Sequence, residues 1–567
     1  MKRLIKEMLE TYTARDLSPW HMPGHKRRCV LGGMWDDLFR LDVTEVPGTD
    51  DLHHAVGPIL ESERAAAEAV GAKYAHYLVG GSTAGILASI AAAAKLWRER
   101  MSDSTEASSD HDPGSSPLFL VAGNCHKSVW NGIRLAGAGC IPLEPEGDPV
   151  YGPVAADTLL HVLAEVVEDS TQVAGCIVTS PTYAGSISSL GELHAVLQVY
   201  GIPLIVDEAH GAHLPFCEEL SWYSGIHAGA EYVVASLHKT LPALTQTAVL
   251  YVGGAALQSE EKETGSEDAA STERESTGEG AAAERDPMEG SAPEEEPFLS
   301  AERLERAVAG QLAVFQSSSP SYILMLSAEE ALAWADENRE RFDAYIPRIR
   351  AFREEMAEIL KWLEPVPLPG VQDPTRLMLR CRKADTCTMT GVEMAAWLEE
   401  KAGIVVELAG SREIILISTV CDEEEDLQHL KEGLLQLDQV IAAREESDPQ
   451  FELREIPSLE EPEAAGFHGD DEHDAAHGDD KEDDENNGAH GDDKGDDDDE
   501  ANAPTEVLCK EAAVSEEKLP RVGDFVQRDI YVYPPGVPVL RAGERVTEDA
   551  LRRLREEEAA GRRVYGL

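Results

Sequence analysis

Five short apolar runs do most to limit what this 567-residue chain can fold into: LFLVA (118–122), GCIVT (175–179), PLIV (203–206), EYVVA (231–235) and TAVLYV (247–252). Each has the length of a strand and lacks the polar alternation of a half-exposed one, which is the pattern of strands buried on both faces. Helical spacing occupies several of the intervals, as at 126–136 and in GELHAVLQVY at 191–200. Strands alternating with helices predict an α/β domain around a mostly parallel sheet, whose ligands collect beyond the carboxyl ends of the strands. From about residue 300 the helical pattern lengthens, over 301–314 and 327–362. A βαβ-like stretch at 375–440, with RLMLR, EMAAWLEEKAGI and EIILIST, predicts a second, smaller α+β domain.

Charge separates these regions. The chain has 107 acidic and 49 basic residues, a formal net charge of −58. That balance argues against a nucleic-acid binder and against a protein docked on anionic lipid, both of which need a basic footprint. No apolar run approaches the ~20 residues of a membrane span. The N-terminal MKRLIKEMLETYTARDLSPW mixes charge with apolar residues and has no signal-peptide core. The nine cysteines are scattered without a CxxC pair, as expected in a reducing, cytoplasmic setting.

Residues 258–297 and 466–502, and a shorter stretch at 102–117, hold almost no large apolar residues and read as disordered insertions. AHGDDK recurs at 476–481 and 489–494, but it is too short for a solenoid unit. The irregular His/Asp spacing around it favours a solvated loop over a metal site. Length alone suggests about three to four domains. The divisions expected are an N-terminal segment (1–45), a large domain (46–330), a small α+β domain (331–450) and, after the acidic tract, a C-terminal domain (506–567).

Four polar clusters follow apolar runs. Ser82-Thr83-Ala84-Gly85 opens an Ala-rich helix at 84–96. Small hydroxyl residues at a helix N-terminus cradle phosphate, although an ordinary N-cap is the commoner use. His126 follows LFLVA through Gly123-Asn124-Cys125, where a histidine often only satisfies the core. Asp207-Glu208-Ala209-His210-Gly211-Ala212-His213 puts two acids and two histidines at the end of a buried strand, which packing does not explain. Its rival reading is a metal site, since His210 and His213 are three apart and within ligand reach on a helix. Ser236-Leu237-His238-Lys239-Thr240 places a lysine where desolvation favours a Schiff-base nucleophile; a lone lysine is more often on the surface. Taken together, a lysine, an acid for a pyridine nitrogen, a phosphate cradle and a ring to cover the cofactor compose a pyridoxal phosphate site. Asp207 and Lys239, 32 residues apart, are expected on neighbouring or near-neighbouring strands.

With these clusters in view, the chain resembles the Orn/Lys/Arg decarboxylase family, pyridoxal-phosphate enzymes of the aspartate aminotransferase-like fold (fold type I). The matching stretches are HMPGHK (21–26), DDLHHAVGPILESE (50–63), GGSTAG (80–85), NCHKSVWNGIRLAGA (124–138), TSPTYAG (179–185), VDEAHGAHLPF (206–216), SLHKTLPALTQTAVLYV (236–252), SPSYILMLS (319–327) and YPPGVPVLRAGE (533–544). They run in family order and cover most of the chain outside the acidic insertions.

The resemblance implies that Lys239 forms the internal aldimine, Asp207 pairs with the pyridine nitrogen and His126 stacks on the ring. It implies that Ser82, Thr83, Ser236 and His238 bind the phosphate, that His210 lies near the ring edge, and that Ser317 to Ser319 reach a neighbouring subunit's phosphate. The expected activity is decarboxylation of arginine, lysine or ornithine by a homodimer or higher homo-oligomer, without a metal. The chain departs from the family in three places. HMPGHK begins at residue 21, so the receiver-like wing of the larger members is absent and their decamers are put in doubt; Ile86 stands where Asn is frequent; and the acidic insertions have no family counterpart. The alternatives are another fold-type-I reaction, such as aminotransfer or β-elimination, and a catalytically silent acidic interaction protein. The acidic surface could steer a cationic substrate, or it could serve solubility alone.

Overall fold

The structure is a computed structural model and describes residues 1–28, 31–105, 116–166, 170–253, 299–382, 389–445, 519–533, 536–559 and 562–567. The tracts at 258–297 and 466–502 lie outside the described residues. Of 102–117, the first four residues continue the helix Gly81–Thr105, contrary to the expectation of an insertion beginning there, and 106–115 are not described.

A seven-stranded sheet in the order β1-β8-β7-β6-β4-β2-β3 carries the fold. Its strands are β1 (Tyr74–Leu78), β2 (Leu118–Ala122), β3 (Gly139–Leu143), β4 (Val173–Thr179), β6 (Leu204–Asp207), β7 (Tyr232–Ser236) and β8 (Ala248–Val252), while β5 (Ser186–Ile187) belongs to a separate ribbon. All five apolar runs of the sequence are strands here. β3, β2, β4, β6 and β7 are parallel, and β8 runs antiparallel between β7 and β1. The aspartate aminotransferase-like α/β reading therefore holds. The strands β1 and β3, which no apolar run announced, close its two edges.

The helix Gly81–Thr105 lies against the sheet and packs on the helix Ala301–Phe315. Gly85 makes that approach possible: a Cβ there would meet Leu78 Cδ1 at 2.6 Å and Val234 Cγ1 at 2.9 Å. Gly85→Ala is expected to destabilise the protein by about 1–3 kcal/mol through overpacking. Urea unfolding measures this, and an unchanged midpoint would show that helix and sheet are looser than the structure has them.

The helical stretch anticipated at 327–362 is two helices, Tyr322–Glu337 and Arg339–Ile359. Asn338, at φ −125° and ψ 36°, breaks the path and caps the break by donating from Nδ2 to the Trp334 carbonyl at 2.7 Å. A small sheet follows, in the order β12-β13-β11-β9, made of β9 (Leu363–Pro365), β11 (Arg376–Cys381), β12 (Leu408–Ala409) and β13 (Glu413–Ile417); β10 (Val371–Gln372) pairs with β5. The βαβ crossover runs from β11 through the helix Gly391–Trp397 to β12. The chain then folds back, so β13 inserts antiparallel between them; EIILIST is not the parallel partner of RLMLR that its spacing suggested.

One continuous core spans the large sheet and much of the small one. Residues 519–567 enclose a separate core around Ile530, Val532, Leu540 and Leu554. The C-terminal unit reaches the large sheet through an Arg134–Asp529 ion pair at 2.8 Å and through Arg541, whose guanidinium lies 4.2 Å from the Trp130 ring centroid. Five described cysteines are free thiols; Cys381 departs from the expectation of reduced cysteines, being disulfide-bonded.

Candidate active site

β4, β6 and β7 are parallel neighbours and end at one edge of the sheet, which brings their terminal polar residues together. β6 ends in Asp207, and β7 ends in Ser236, after which a tight turn, Leu237–Lys239, carries the lysine. A cavity of about 250 Å³ opens there. Among the eight sequence candidates, Ser82, His126, Asp207, His210 and Lys239 line it, whereas Thr83, Ser236 and His238 do not. Ser236 is fully buried at the strand end, and the His238 ring bonds through Nδ1 to the Thr247 carbonyl at 2.9 Å.

Lys239 Nζ lies 3.1 Å from His210 Nε2. Burial pulls the lysine below its ordinary pKa, Arg376 adds to that, and Asp207 and Glu407 oppose it. Burial likewise pushes the Asp207 carboxyl up against the pull of Lys239, and the Ala209 N–H donates to its Oδ1 at 3.2 Å. His210 is held well below its ordinary value by burial and then by Lys239 and Arg376, so it is a neutral ring.

His126 caps the helix Lys127–Leu135: its Nδ1 accepts from the Ser128 N–H at 3.2 Å. Burial, Lys239 and Lys127 push His126 down to about 4. In an unfolded chain the same ring takes up a proton near 6.5. Its contribution to stability is therefore complete above about 6.5 and is lost as pH falls from there toward 4. His126→Asn should flatten that part of the melting-temperature profile of the cofactor-free protein; an unchanged slope would mean that another group carries it.

The histidines of the VDEAHGAHLPF stretch lie in a turn, and they part company. His210 faces Lys239, while buried His213 pairs with buried Asp373 at 3.4 Å. Helical spacing as a metal pair does not apply to them. Among the described residues, no group of three or more His, Cys, Asp or Glu side chains could hold a metal ion.

Several lining residues carried no role in the sequence. Asn124, Thr179, Thr182 and Tyr183 come from motifs recognised as stretches but not as contacts. Glu407, from the lead into β12, and Val537, from the C-terminal unit, come from far along the chain. Beneath the cavity lies Arg376, fully buried, whose Nη2 donates to the His210 carbonyl at 3.1 Å and approaches its Nδ1 at 3.4 Å.

The site suits a phosphorylated pyridine cofactor. Among the described residues, the buried Ser236 and Thr240 hydroxyls find no hydrogen-bond partner beside the lysine turn. The helix opening at Gly81, which has φ +71°, presents Ser82 and the free N–H groups of its first turn. An acid, a lysine and a histidine ring converge in the space between. The fold and this convergence define a fold-type-I pyridoxal phosphate enzyme.

Comparison with known proteins narrows the class. Residues 4–267 match the sequence profile described as "Orn/Lys/Arg decarboxylase, major domain". The chain is 26% identical over 565 residues to the uncharacterized protein YaaO of Bacillus subtilis, covering 97% of this chain and 93% of that one. It is 25% identical over 580 residues to an arginine decarboxylase of Bacillus anthracis, covering 98% and 93%. The structure of the constitutive lysine decarboxylase of E. coli superposes with a TM-score of 0.63 at 17% identity, over 100% of this chain and 80% of that one, which shows the shared fold. The match places residues 4–267 with the major domain of the Orn/Lys/Arg decarboxylases, pyridoxal-phosphate-dependent amino-acid decarboxylases.

Proposed function

We propose that this chain converts a basic amino acid, one of arginine, lysine or ornithine, into the corresponding amine and CO₂. The convergence of Lys239, Asp207, His126 and His210 in one cavity carries this reading, and the arginine decarboxylase name of a relative aligned over nearly the whole chain supports the substrate class. When bound, pyridoxal phosphate supplies the electron sink for the pair left behind as CO₂ departs. Lys239 is the attachment point, and its lowered pKa favours the free amine that attachment needs. Asp207 holds a proton on the ring nitrogen by charge pairing. His126 covers one face of the ring. Ser82 holds the phosphate from the cavity wall; Thr83, Ser236 and His238, outside that lining, complete its cradle from the helix opening and the lysine turn, and His210 keeps Lys239 oriented from 3.1 Å.

Decarboxylation takes up one proton for each CO₂ released, so the assay follows both. Incubating holoenzyme with each of the three amino acids should yield one amine in preference, with one CO₂ for each amine and, in acidic medium from which CO₂ is swept before it hydrates, one proton taken up. Absence of amine from all three would refute the proposal. A homodimer in the cytoplasm is the expected working form. It is supported by Trp20, Met22, Leu31 and Met34, large apolar side chains exposed within one N-terminal segment, and sedimentation of the holoenzyme tests it.

A further inference from the structure

The cavity solves the chemistry at the α-carbon but also contains a group that this chemistry does not use. Two of its lining side chains are carboxylates. Asp207 is buried on the floor, faces Lys239 and accepts from the Ala209 N–H. Glu407 is exposed and enters from the small sheet's side. We propose that Glu407 is the specificity residue of this site and receives the side-chain cation of the substrate, an inference that rests on the decarboxylase reading above.

Three observations carry it. First, the carboxylate is held in place: the Tyr183 hydroxyl donates to Glu407 Oε1 at 2.6 Å, and the Tyr183 ring meets His210 edge-on at 4.9 Å between centroids. A carboxylate has about four acceptor positions, so one donated bond leaves room for an ammonium or guanidinium. Second, the other titratable side chains lining the cavity are Lys239, His126, His210 and the Tyr183 phenol that donates to Glu407, none of which brings a negative charge to balance an incoming cation. A cation brought into such a site unpaired is costly, and Asp207 is committed to the floor. Third, the placement separates the two ends of a substrate. The α-amine must reach Lys239 at the strand edge, while Glu407 reaches the same cavity from a different sheet. A substrate with an apolar tail would leave this carboxylate without its partner; a basic side chain satisfies it through a charge-assisted bond.

The test uses holoenzyme and simple amines, so it reads binding independently of turnover. Cadaverine and 1-aminopentane differ only in the distal ammonium, and agmatine presents a guanidinium instead. Their dissociation constants follow from the change each makes in the absorbance of bound cofactor. Wild type should prefer each charged amine to 1-aminopentane by about 10- to 100-fold. In Glu407→Gln, which keeps the shape and an acceptor for Tyr183, the preference should shrink toward unity while cofactor content stays the same. KM for the basic amino acid should rise by a similar factor, and kcat should fall less. Retained charge preference in Glu407→Gln would overturn the proposal, as would a loss of kcat at unchanged KM, or a wild type that does not distinguish cadaverine and agmatine from 1-aminopentane. Failure of wild type to decarboxylate any basic amino acid would remove the reaction assignment instead, and the amine titration would still decide whether Glu407 binds a cation.

Discussion

Lys239→Ala should retain a folded protein but carry no covalently attached cofactor and show no detectable turnover. The side chain stands on the short turn after β7, where removing it leaves the backbone turn and the fully buried Ser236 in place. What disappears is the one amine that lines the cavity among the described residues, 3.1 Å from His210 Nε2 and held toward its neutral form by burial. Losing both the attachment and a proton-handling group should reduce the rate by more than about 10²-fold, the lower range for a positioned proton-transfer group alone. Borohydride reduction followed by peptide mass analysis gives the decisive readout: wild type should hold the cofactor on the peptide containing Lys239. Cofactor trapped covalently in the alanine variant would move the assignment to another lysine.

Asp207→Asn should separate binding from chemistry. The amide has nearly the same size and can still accept from the Ala209 N–H, so the variant should fold and load cofactor. It cannot balance a positive ring nitrogen, and the electron sink weakens. Removing such a preorganised electrostatic partner typically costs about 10²- to 10³-fold in kcat. The loss should appear in kcat with little change in cofactor content, measured by absorbance after desalting. Near-normal turnover would show that Asp207 is only a buried acid paired with Lys239.

The residues behind both predictions were legible because each follows directly on an apolar run. A strand buried on both faces announces its own end, and a charged residue placed there needs a reason. The two edge strands were not legible. YAHYL in β1 alternates with polar residues, and GCIPL in β3 is mostly exposed or half-exposed, so neither gives the continuous apolar signal of the interior. The sequence also carried no sign that β8 runs against its neighbours, because direction is set by the connections and not by composition.

Glu407 and Arg376 were invisible for another reason. Arg376 opens β11 and Glu407 directly precedes β12, both well over a hundred residues beyond Lys239, and nothing beside them in sequence marks them as functional. Only packing brings Arg376 under His210 and Glu407 to Tyr183. The identity of a side chain that meets the substrate is thus a property of how two sheets meet, whereas the cofactor's main partners belong to one.

The reversed strand β8 has a further consequence. Its last residue, Val252, lies opposite Tyr232 and Tyr74, the first residues of β7 and β1. The chain therefore leaves β8 at the edge where the parallel strands begin, across the sheet from Asp207 and Ser236. The helix Gly81–Thr105 also returns the chain to the start of a parallel strand, since β2 follows at Leu118. Val252 and Leu118 therefore both stand at that remote edge, so the scaffold has two points, on the far side of the sheet from the chemistry, where a change in chain length leaves the strand ends that build the site in register.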